Sequence, residues 1–194
     1  MLFIPENYEK KFQDIADAMN EAFSAKYVIY ILERKDHTNR ITHSTNAAWQ
    51  KIYPIEFADH CHLFEMVRTA IEKRKLPTAC FPWAYIQPKQ KDHKYTEACR
   101  REYGIHNGIS GGSRFGNFIE AFSIGGDRDD EDYFKKLLAI QPWIQVFKLR
   151  IRELVLSEMI ARQWEEPSVL QYSMLDHINT PIIGEYQPKR IYSL

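Results

Sequence analysis

The chain has 194 residues, of which 44% are apolar, 27% are charged and 13% are aromatic. This length and composition are typical of one globular domain with an ample hydrophobic core, and no stretch approaches the roughly 20 apolar residues of a membrane helix. The formal net charge is zero, so this segment has no excess of Lys and Arg with which to bind nucleic acid.

The first elements are a helix and a hairpin. Residues 7–24 carry apolar side chains at steps of three or four, which predicts an amphipathic helix. Residues 27–32 are continuously apolar and predict a central strand, and residues 40–43 are expected to pair back with it across a polar turn.

A short helix follows, with a cap among residues 44–46 and an end near Pro54. It carries Trp49 and Tyr53 one turn apart, so the two side chains are expected to point the same way. Two interpretations stay open. The aromatics belong to the core, or their N–H and O–H groups bind a buried ligand carbonyl.

Residues 59–73 predict another helix, whose start places Asp59, His60, Cys61 and His62 side by side. Adjacent helical positions point about 100° apart, so these side chains cannot converge on one metal ion. We therefore expect a capped helix start with partly exposed histidines and no metal site. Residues 78–86 follow as a strand or extended segment.

The most informative stretch runs from residue 95 to residue 124. A polar loop over 87–92, of the kind that can cover a pocket, precedes it. Helical spacing over 95–103, with Tyr95 on the apolar face, stops at Gly104. Two strand-like runs, 105–110 and 117–124, are then joined by the Gly-rich segment 111–116.

The second of these runs is apolar on both faces. Ile119, Ala121 and Ser123 share one face, while Phe118 and Phe122 lie on the other. A sheet covered on both faces makes a three-layer domain. Because Ser123 is a small polar residue on an otherwise apolar face, it indicates a pocket.

The last part of the chain is helical and then irregular. The acidic cluster 127–132 lacks the spacing of a calcium loop, so we expect its carboxylates to complement a helix dipole in the first turn. That helix is expected to run from Tyr133 to Pro142, and a second one from there to about Ala161. Residues 163–194 lose periodicity and are interpreted as a linker.

The cysteines argue against a disulfide framework or a structural zinc site. Cys61, Cys80 and Cys99 are odd in number and form no CxxC pair. The N-terminus also lacks a signal-peptide pattern. We therefore expect a cytoplasmic protein.

Catalytic motifs are absent from the sequence. It contains no GxSxG, P-loop or HExxH motif, and no GxGxxG followed by a helix. Cys61, which lies between two histidines, is the one candidate nucleophile, and neighbours in sequence are rarely positioned as a catalytic pair. We therefore expect a protein that is not an enzyme.

The order of these features resembles the autoinducer-binding domain of LuxR-type quorum-sensing transcription factors. The resemblance spans roughly residues 8–160 and rests on Trp49, Tyr53 and Trp83, the segments YGIHNGIS and FIEAFSI, and the long paired helix. It implies an α+β fold, an α-β-α sandwich around a central antiparallel sheet of about five strands. In that family an N-acyl homoserine lactone lies buried between the sheet and one helix layer.

The resemblance also implies a division of the chain. Residues 1–162 correspond to the sensory domain and residues 163–194 to a linker. In the family such a linker leads to a helix-turn-helix DNA-binding domain, which this chain does not contain. The implied partners are a small-molecule signal and a second copy of the chain, with DNA contacted only through that further domain. Neither a cofactor nor a membrane is implied.

The same resemblance assigns a set of ligand-binding residues. Trp49 matches the tryptophan that donates to the lactone carbonyl, and Tyr53 the tyrosine that lines the acyl-amide region. Trp83 matches the aromatic residue that closes over the ring, and Ser123 the strand hydroxyl that reaches the acyl carbonyl. Thr45 stands where some family members have a pocket tyrosine.

The acceptor of the ligand amide departs from the family pattern. An aspartate is expected about nine residues after Tyr53, and His62 occupies that position. Asp59 is nearby but on a different helical face. A neutral histidine accepts one hydrogen bond without the charge that makes a carboxylate a stronger acceptor. A small amphiphile other than the usual lactone is therefore also considered as the ligand.

Three functions stay open for the sequence. The first is a ligand-gated sensory domain, for which we expect a cavity bordered by Trp49, Tyr53, Trp83 and Ser123. The second is a protein-interaction module of the same fold, for which we expect a filled interior. The third is an enzyme with an open cleft that holds Cys61 beside a converging base.

Overall fold

The computed structural model describes residues 6–37 and 39–161. Within this part of the chain the helices are α1 (Glu6–Phe23), α2 (Ala47–Ile52), α3 (His62–Glu72), α4 (Lys91–Glu102), α5 (Tyr133–Ala139) and α6 (Gln141–Ala161). The strands are β1 (Tyr27–Arg34), β2 (Arg40–Ser44), β3 (Thr78–Pro82), β4 (Gly108–Phe115) and β5 (Phe118–Gly125). The linker predicted for residues 163–194 lies outside the described residues.

The strands form one antiparallel sheet in the order β2-β1-β5-β4-β3. The apolar strands β1 and β5 lie inside the sheet, where both of their edges are paired. Their register places Ile31 opposite Ala121 and Ile29 opposite Ser123, and β4 continues that second row with Ser110. Side chains that alternate along these strands therefore form two distinct faces.

Each face of the sheet is covered by helices. On one face Tyr30, Phe118 and Phe122 form a core with side chains of α1, α5 and α6. On the other face Ile29 and Ile119 form a core with α2, the turns that follow it, and α3. The α-β-α sandwich with a five-stranded antiparallel sheet is thus confirmed.

A buried charge network joins α6 to the sheet. Glu120 is fully buried, and its carboxylate accepts hydrogen bonds from Tyr30 Oη at 2.7 Å, Ser113 Oγ at 2.8 Å and Arg152 Nε at 2.8 Å. Lys148 Nζ lies 3.2 Å from the same carboxylate. Burial alone raises the pKa of the Glu120 carboxyl, but the charges of Lys148 and Arg152 outweigh it and hold that pKa well below its usual range.

The β4–β5 hairpin corrects the prediction that the Gly-rich segment 111–116 is the connecting loop. Residues 111–115 continue β4, and the turn is made by Gly116, whose φ is +51°, and Asn117. Gly112 has a packing role instead. A Cβ atom at this position would lie 2.4 Å from Val67 Cγ1, so the glycine allows α3 to sit directly on the sheet.

The buried face of α4 differs from the one predicted from apolar spacing. Tyr95, predicted to face inward, is 62% exposed, whereas His93, Thr96 and Arg100 are buried. The inward face of α4 can be polar because the buried Arg100 has hydrogen-bond partners outside the helix, which the local sequence pattern does not predict. Its Nη1 donates to the carbonyl of Ile105 at 2.8 Å, just beyond the helix end.

Three helix boundaries can be compared with their predictions. α2 ends at Ile52, near Pro54 as predicted, and a π-helical turn over Tyr53–Phe57 follows it, with the proline near its start, where a missing N–H costs little. The predicted loop 87–92 gives its last residues to α4. The acidic residues 127–132 precede α5 and do not lie in its first turn.

Candidate ligand-binding site

A small buried cavity lies between the sheet and the layer of α2, α3 and α4. Its free volume is about 20 Å³, which is room for roughly one water molecule. The lining residues are Tyr27, Ile29, Ile31, Tyr53, Cys61, Leu63, Phe64, Val67, Trp83, Arg100, Ser110, Ala121 and Ser123.

The sheet register divides this lining into a polar and an apolar end. Ser110 and Ser123 lie opposite each other on β4 and β5, and their hydroxyl oxygens are 2.7 Å apart. Two residues before Ser123 on β5, Ala121 pairs with Ile31, and Val67 of α3 lies over this part of the sheet. The cavity wall therefore has polar groups at one end and aliphatic groups at the other.

Trp83 organises the polar end. β3 ends at Pro82, so Trp83 lies in a 3-10 turn and not in the predicted strand over 78–86. Its Nε1 donates to Ser110 Oγ at 2.7 Å, which starts a hydrogen-bond chain from Trp83 through Ser110 to Ser123. Either hydroxyl can donate in the Ser110–Ser123 hydrogen bond, and when Ser110 donates, Ser123 keeps its own O–H donor for a further partner.

The guanidinium of Arg100 lies over the face of the Trp83 ring. The guanidinium carbon is 4.5 Å from the ring centroid, in the geometry of a cation–π contact. Burial lowers the pKa of this guanidinium, and the Glu97 carboxylate opposes that shift. Arg100 is the one charged side chain among the lining residues.

Three of the residues predicted from the sequence meet in this cavity. Tyr53, Trp83 and Ser123 all line it. Trp49 does not belong to the lining, but it is 1% exposed and packs against Tyr53, with ring centroids 5.4 Å apart. The two side chains thus point the same way, as predicted, and Trp49 forms the layer immediately behind the cavity wall.

The other predicted residues lie outside the lining. His62, predicted to be partly exposed, is buried, and its Nε2 is 3.2 Å from Glu97 Oε2. This contact and the two neighbouring arginines lower the pKa of the Glu97 carboxyl to about 2. Within the described residues, neither ring nitrogen of His62 has a hydrogen-bond partner of normal geometry. Asp59 is exposed and pairs with Arg40 at 2.7 Å. Thr45 Oγ1 accepts a hydrogen bond from the backbone N–H of Val28 at 3.0 Å.

Cys61 lines the cavity, and its thiol interacts with the Tyr53 hydroxyl. The ring of the adjacent His62 contacts Glu97 of α4. The cysteines Cys61, Cys80 and Cys99 are all unpaired. In the described part of the chain, no group of His, Cys, Asp and Glu side chains is arranged to hold a metal ion.

Sequence reasoning missed Tyr27, Ser110 and Arg100. Tyr27 was predicted to belong to a strand, with no role in the site. Ser110 could have been found, because it lies opposite Ser123 once β4 and β5 are paired correctly. No hydropathy signal identifies Arg100, because an arginine on a charged helix is normally a solvent-exposed residue. Its burial depends on the Trp83 ring and on the Ile105 carbonyl.

The described residues form a three-layer domain with a small internal cavity, and known structures share this fold. No protein-family model and no curated protein matches the sequence. SdiA of Escherichia coli matches with a TM-score of 0.51 and 11% identity, over 95% of this chain and 69% of SdiA. The VqsR LBD domain of Pseudomonas aeruginosa matches with a TM-score of 0.50 and 9% identity, over 77% of this chain and 92% of that domain.

CepR2 of Burkholderia cenocepacia, an N-acylhomoserine lactone dependent LuxR family transcription factor, matches with a TM-score of 0.47 and 14% identity, over 83% of this chain and 100% of CepR2. These neighbours are LuxR-family autoinducer-binding domains. SdiA and the VqsR LBD domain, with TM-scores of 0.51 and 0.50, share the fold that the sequence resemblance implies. Among the described helices, none is both long and apolar enough to cross a membrane.

Proposed function

We propose that this chain is the signal-sensing domain of a LuxR-type transcriptional regulator and that it binds a small amphiphile in the cavity beneath α3. The observation that carries the proposal is the hydrogen-bond chain from Trp83 through Ser110 to Ser123, set in a wall whose other members are mostly aliphatic and aromatic. Such a wall pairs a few directed polar groups with apolar surface, as small-molecule sites do.

Of the residues predicted from the sequence, Tyr53, Trp83 and Ser123 are the proposed ligand contacts. Trp49 would support the Tyr53 ring from behind. Thr45, Asp59 and His62 have partners within the protein. Their roles in this proposal are to hold β1, the turn before α3, and α4 in place.

Ligand binding in this proposal opens the helix layer. Typical small-molecule pockets have roughly 300–1,000 Å³, so a cavity of about 20 Å³ cannot hold a whole signal molecule. The aromatic side chains of the α2–α4 layer must therefore move apart. A ligand that binds this opened form shifts the population toward it, which gives the domain two states to signal with.

The signal in this proposal reaches DNA through a dimer. Trp143, Val146 and Leu149 recur every third position along α6 and are 66%, 43% and 45% exposed. This exposed apolar stripe suits a helix of a second copy. Dimerisation would in turn position helix-turn-helix domains, encoded outside this sequence, on two half-sites. The proposed location is the cytoplasm.

Thermal unfolding of the 194-residue chain with N-acyl homoserine lactones of short and long acyl chains, and with fatty acids, tests this function. A ligand at 100 times its Kd adds about 2.7 kcal/mol, which raises the Tm of a domain this size by roughly 5–10 °C. Trp83→Phe removes the indole donor and should abolish the shift. Trp49→Phe is the matched control and should retain most of it. A shift that survives Trp83→Phe and is lost in Trp49→Phe would contradict the proposed site.

The small cavity also favours a second candidate function. A nearly filled interior is what we expect of an interaction module that binds no ligand and signals through α6 alone. If none of the compounds raises the Tm, and Trp83→Phe destabilises the fold like a core substitution, this second candidate replaces the first.

A further inference from the structure

The uncommon feature of the cavity is a buried guanidinium beside the polar end. Arg100 is 7% exposed, and a planar cation at this position has lost nearly all of its hydration. Arginine remains protonated in proteins, so the cost of burial must be met by partners. The partners that the domain supplies therefore decide what Arg100 can do.

The hydrogen bonds of Arg100 use only one side of its guanidinium. Nη1 donates to the carbonyls of Ile105 at 2.8 Å and His106 at 3.3 Å. Nε is buried and has no hydrogen-bond partner within the described residues. Nε and Nη2 share the opposite edge of the fork, which is the edge that binds a carboxylate in bidentate fashion.

Arg100 also has no carboxylate partner of its own at close range among the described residues. In the described part of the chain, the one carboxylate within ion-pair distance is that of Glu97, whose Oε1 lies 3.8 Å from Nη2. Glu97 interacts more closely with Arg101 and with His62, at 2.5 Å and 3.2 Å. One carboxylate thus serves two arginines, so this corner of the cavity has a positive charge without a close counterion.

We infer that the ligand of this domain carries a carboxylate, which binds the free edge of Arg100 while its apolar tail points toward Val67. The inference rests on the proposed ligand-sensing function and specifies its ligand class. The Ser123 hydroxyl at the end of the hydrogen-bond chain donates a further hydrogen bond to the same group. The wall of Ile31, Ala121 and Val67, two rows along the sheet, receives the tail. A neutral lactone would leave the Arg100 charge unmatched.

A pair of probes that differ in charge tests the inference on the unmodified chain. N-octanoyl homoserine lactone and its ring-opened acid, N-octanoyl homoserine, share the acyl chain and the amide. Octanoate and octanamide form a second pair of the same kind. Titration calorimetry at pH 7 should give the acids an affinity at least about tenfold higher, because hydrogen bonds to charged groups are stronger.

Variants then assign the preference to one residue. Arg100→Gln should remove the preference for the acid, and Arg100→Lys should reduce it, since a lysine keeps the charge without the Nε edge. Arg74→Gln is the matched control, because Arg74 is exposed, does not line the cavity and lies outside the Glu97 ion pairs. It should retain the full preference.

The outcomes separate this inference from the proposed function. Binding of the acids over the neutral partners, with the preference lost in Arg100→Gln and kept in Arg74→Gln, supports both. Equal or tighter binding of the lactone and the amide overturns the carboxylate inference and leaves the sensing function standing. If no probe binds, both fail. Should Arg100→Gln not fold, the comparison of acid and neutral probes on the unmodified chain still decides the inference.

Discussion

Replacement of Glu120 tests how the sheet and α6 are held together. Glu120→Leu removes a carboxylate that is 0% exposed and that accepts hydrogen bonds from Arg152, Tyr30 and Ser113. It leaves Arg152, which is 4% exposed, and Lys148, which is 7% exposed, as buried cations without that partner. The loss comes from these stranded charges more than from the missing hydrogen bonds.

The expected cost is large for a single substitution. Removal of one partner from a buried ion pair costs about 3–5 kcal/mol, which for a domain of this size lowers the Tm by roughly 6–20 °C. Urea unfolding at pH 7, followed by tryptophan fluorescence, measures the free energy of unfolding directly. Since domains of this kind have about 5–15 kcal/mol of stability, the variant should remain folded enough to measure.

A second variant separates charge from packing. Glu120→Leu combined with Arg152→Leu and Lys148→Met replaces the whole network by apolar side chains, and it should recover most of the lost stability. If Glu120→Leu costs less than about 1 kcal/mol, the network is not the buried charge cluster described above. If the triple variant is as unstable as the single one, the loss comes from packing and not from the charges.

Further predictions concern pH, packing and capping. Burial lowers the pKa of His43 to about 4, so its contribution to stability is complete above pH 6.5 and is lost as the pH falls toward 4; the loss is on the order of 3 kcal/mol. His43→Leu should remove that part of the pH dependence in urea titrations, and an unchanged profile would contradict this. Gly112→Ala should cost about 3 kcal/mol or more, since its Cβ would lie 2.4 Å from both the Glu120 carbonyl oxygen and Val67 Cγ1, and Gly111→Ala, where the nearest atom is 3.1 Å away, should cost less. Asn46→Ala removes the N-cap of α2 and the hydrogen bond from Asn46 Nδ2 to the Tyr103 carbonyl, so it should cost about 2 kcal/mol. Asn46→Ser keeps a capping oxygen and should cost less; equal losses would argue against the cap.

The secondary structure that was predicted correctly comes from local patterns. The helix over 7–24 and the strand over 27–32 match α1 and β1 closely. These segments have unambiguous apolar periods, and their burial follows the period. The two-faced pattern of 117–124 also predicted the three-layer fold, because a strand that is apolar on both sides needs cover on both sides.

One error occurs where glycine was taken as a local turn signal. Gly111 and Gly112 were assigned to a turn, but they continue β4, and Gly112 lies where the backbone of β5 and Val67 of α3 leave no room for a side chain. No window of neighbouring residues contains these distant elements, so the local pattern could not identify the strand.

The sequence by itself determined the elements, the sandwich and three members of the candidate site: Tyr53, Trp83 and Ser123. Only the tertiary structure decided which polar side chains meet. The pairing of Ser110 with Ser123 depends on the exact position of the hairpin turn. The inward position of Arg100 depends on the Trp83 ring and on backbone carbonyls beyond the end of α4. Apolar burial follows from periodicity, whereas a buried charge is stable only where distant groups supply its partners, and those groups are known only once the chain is folded.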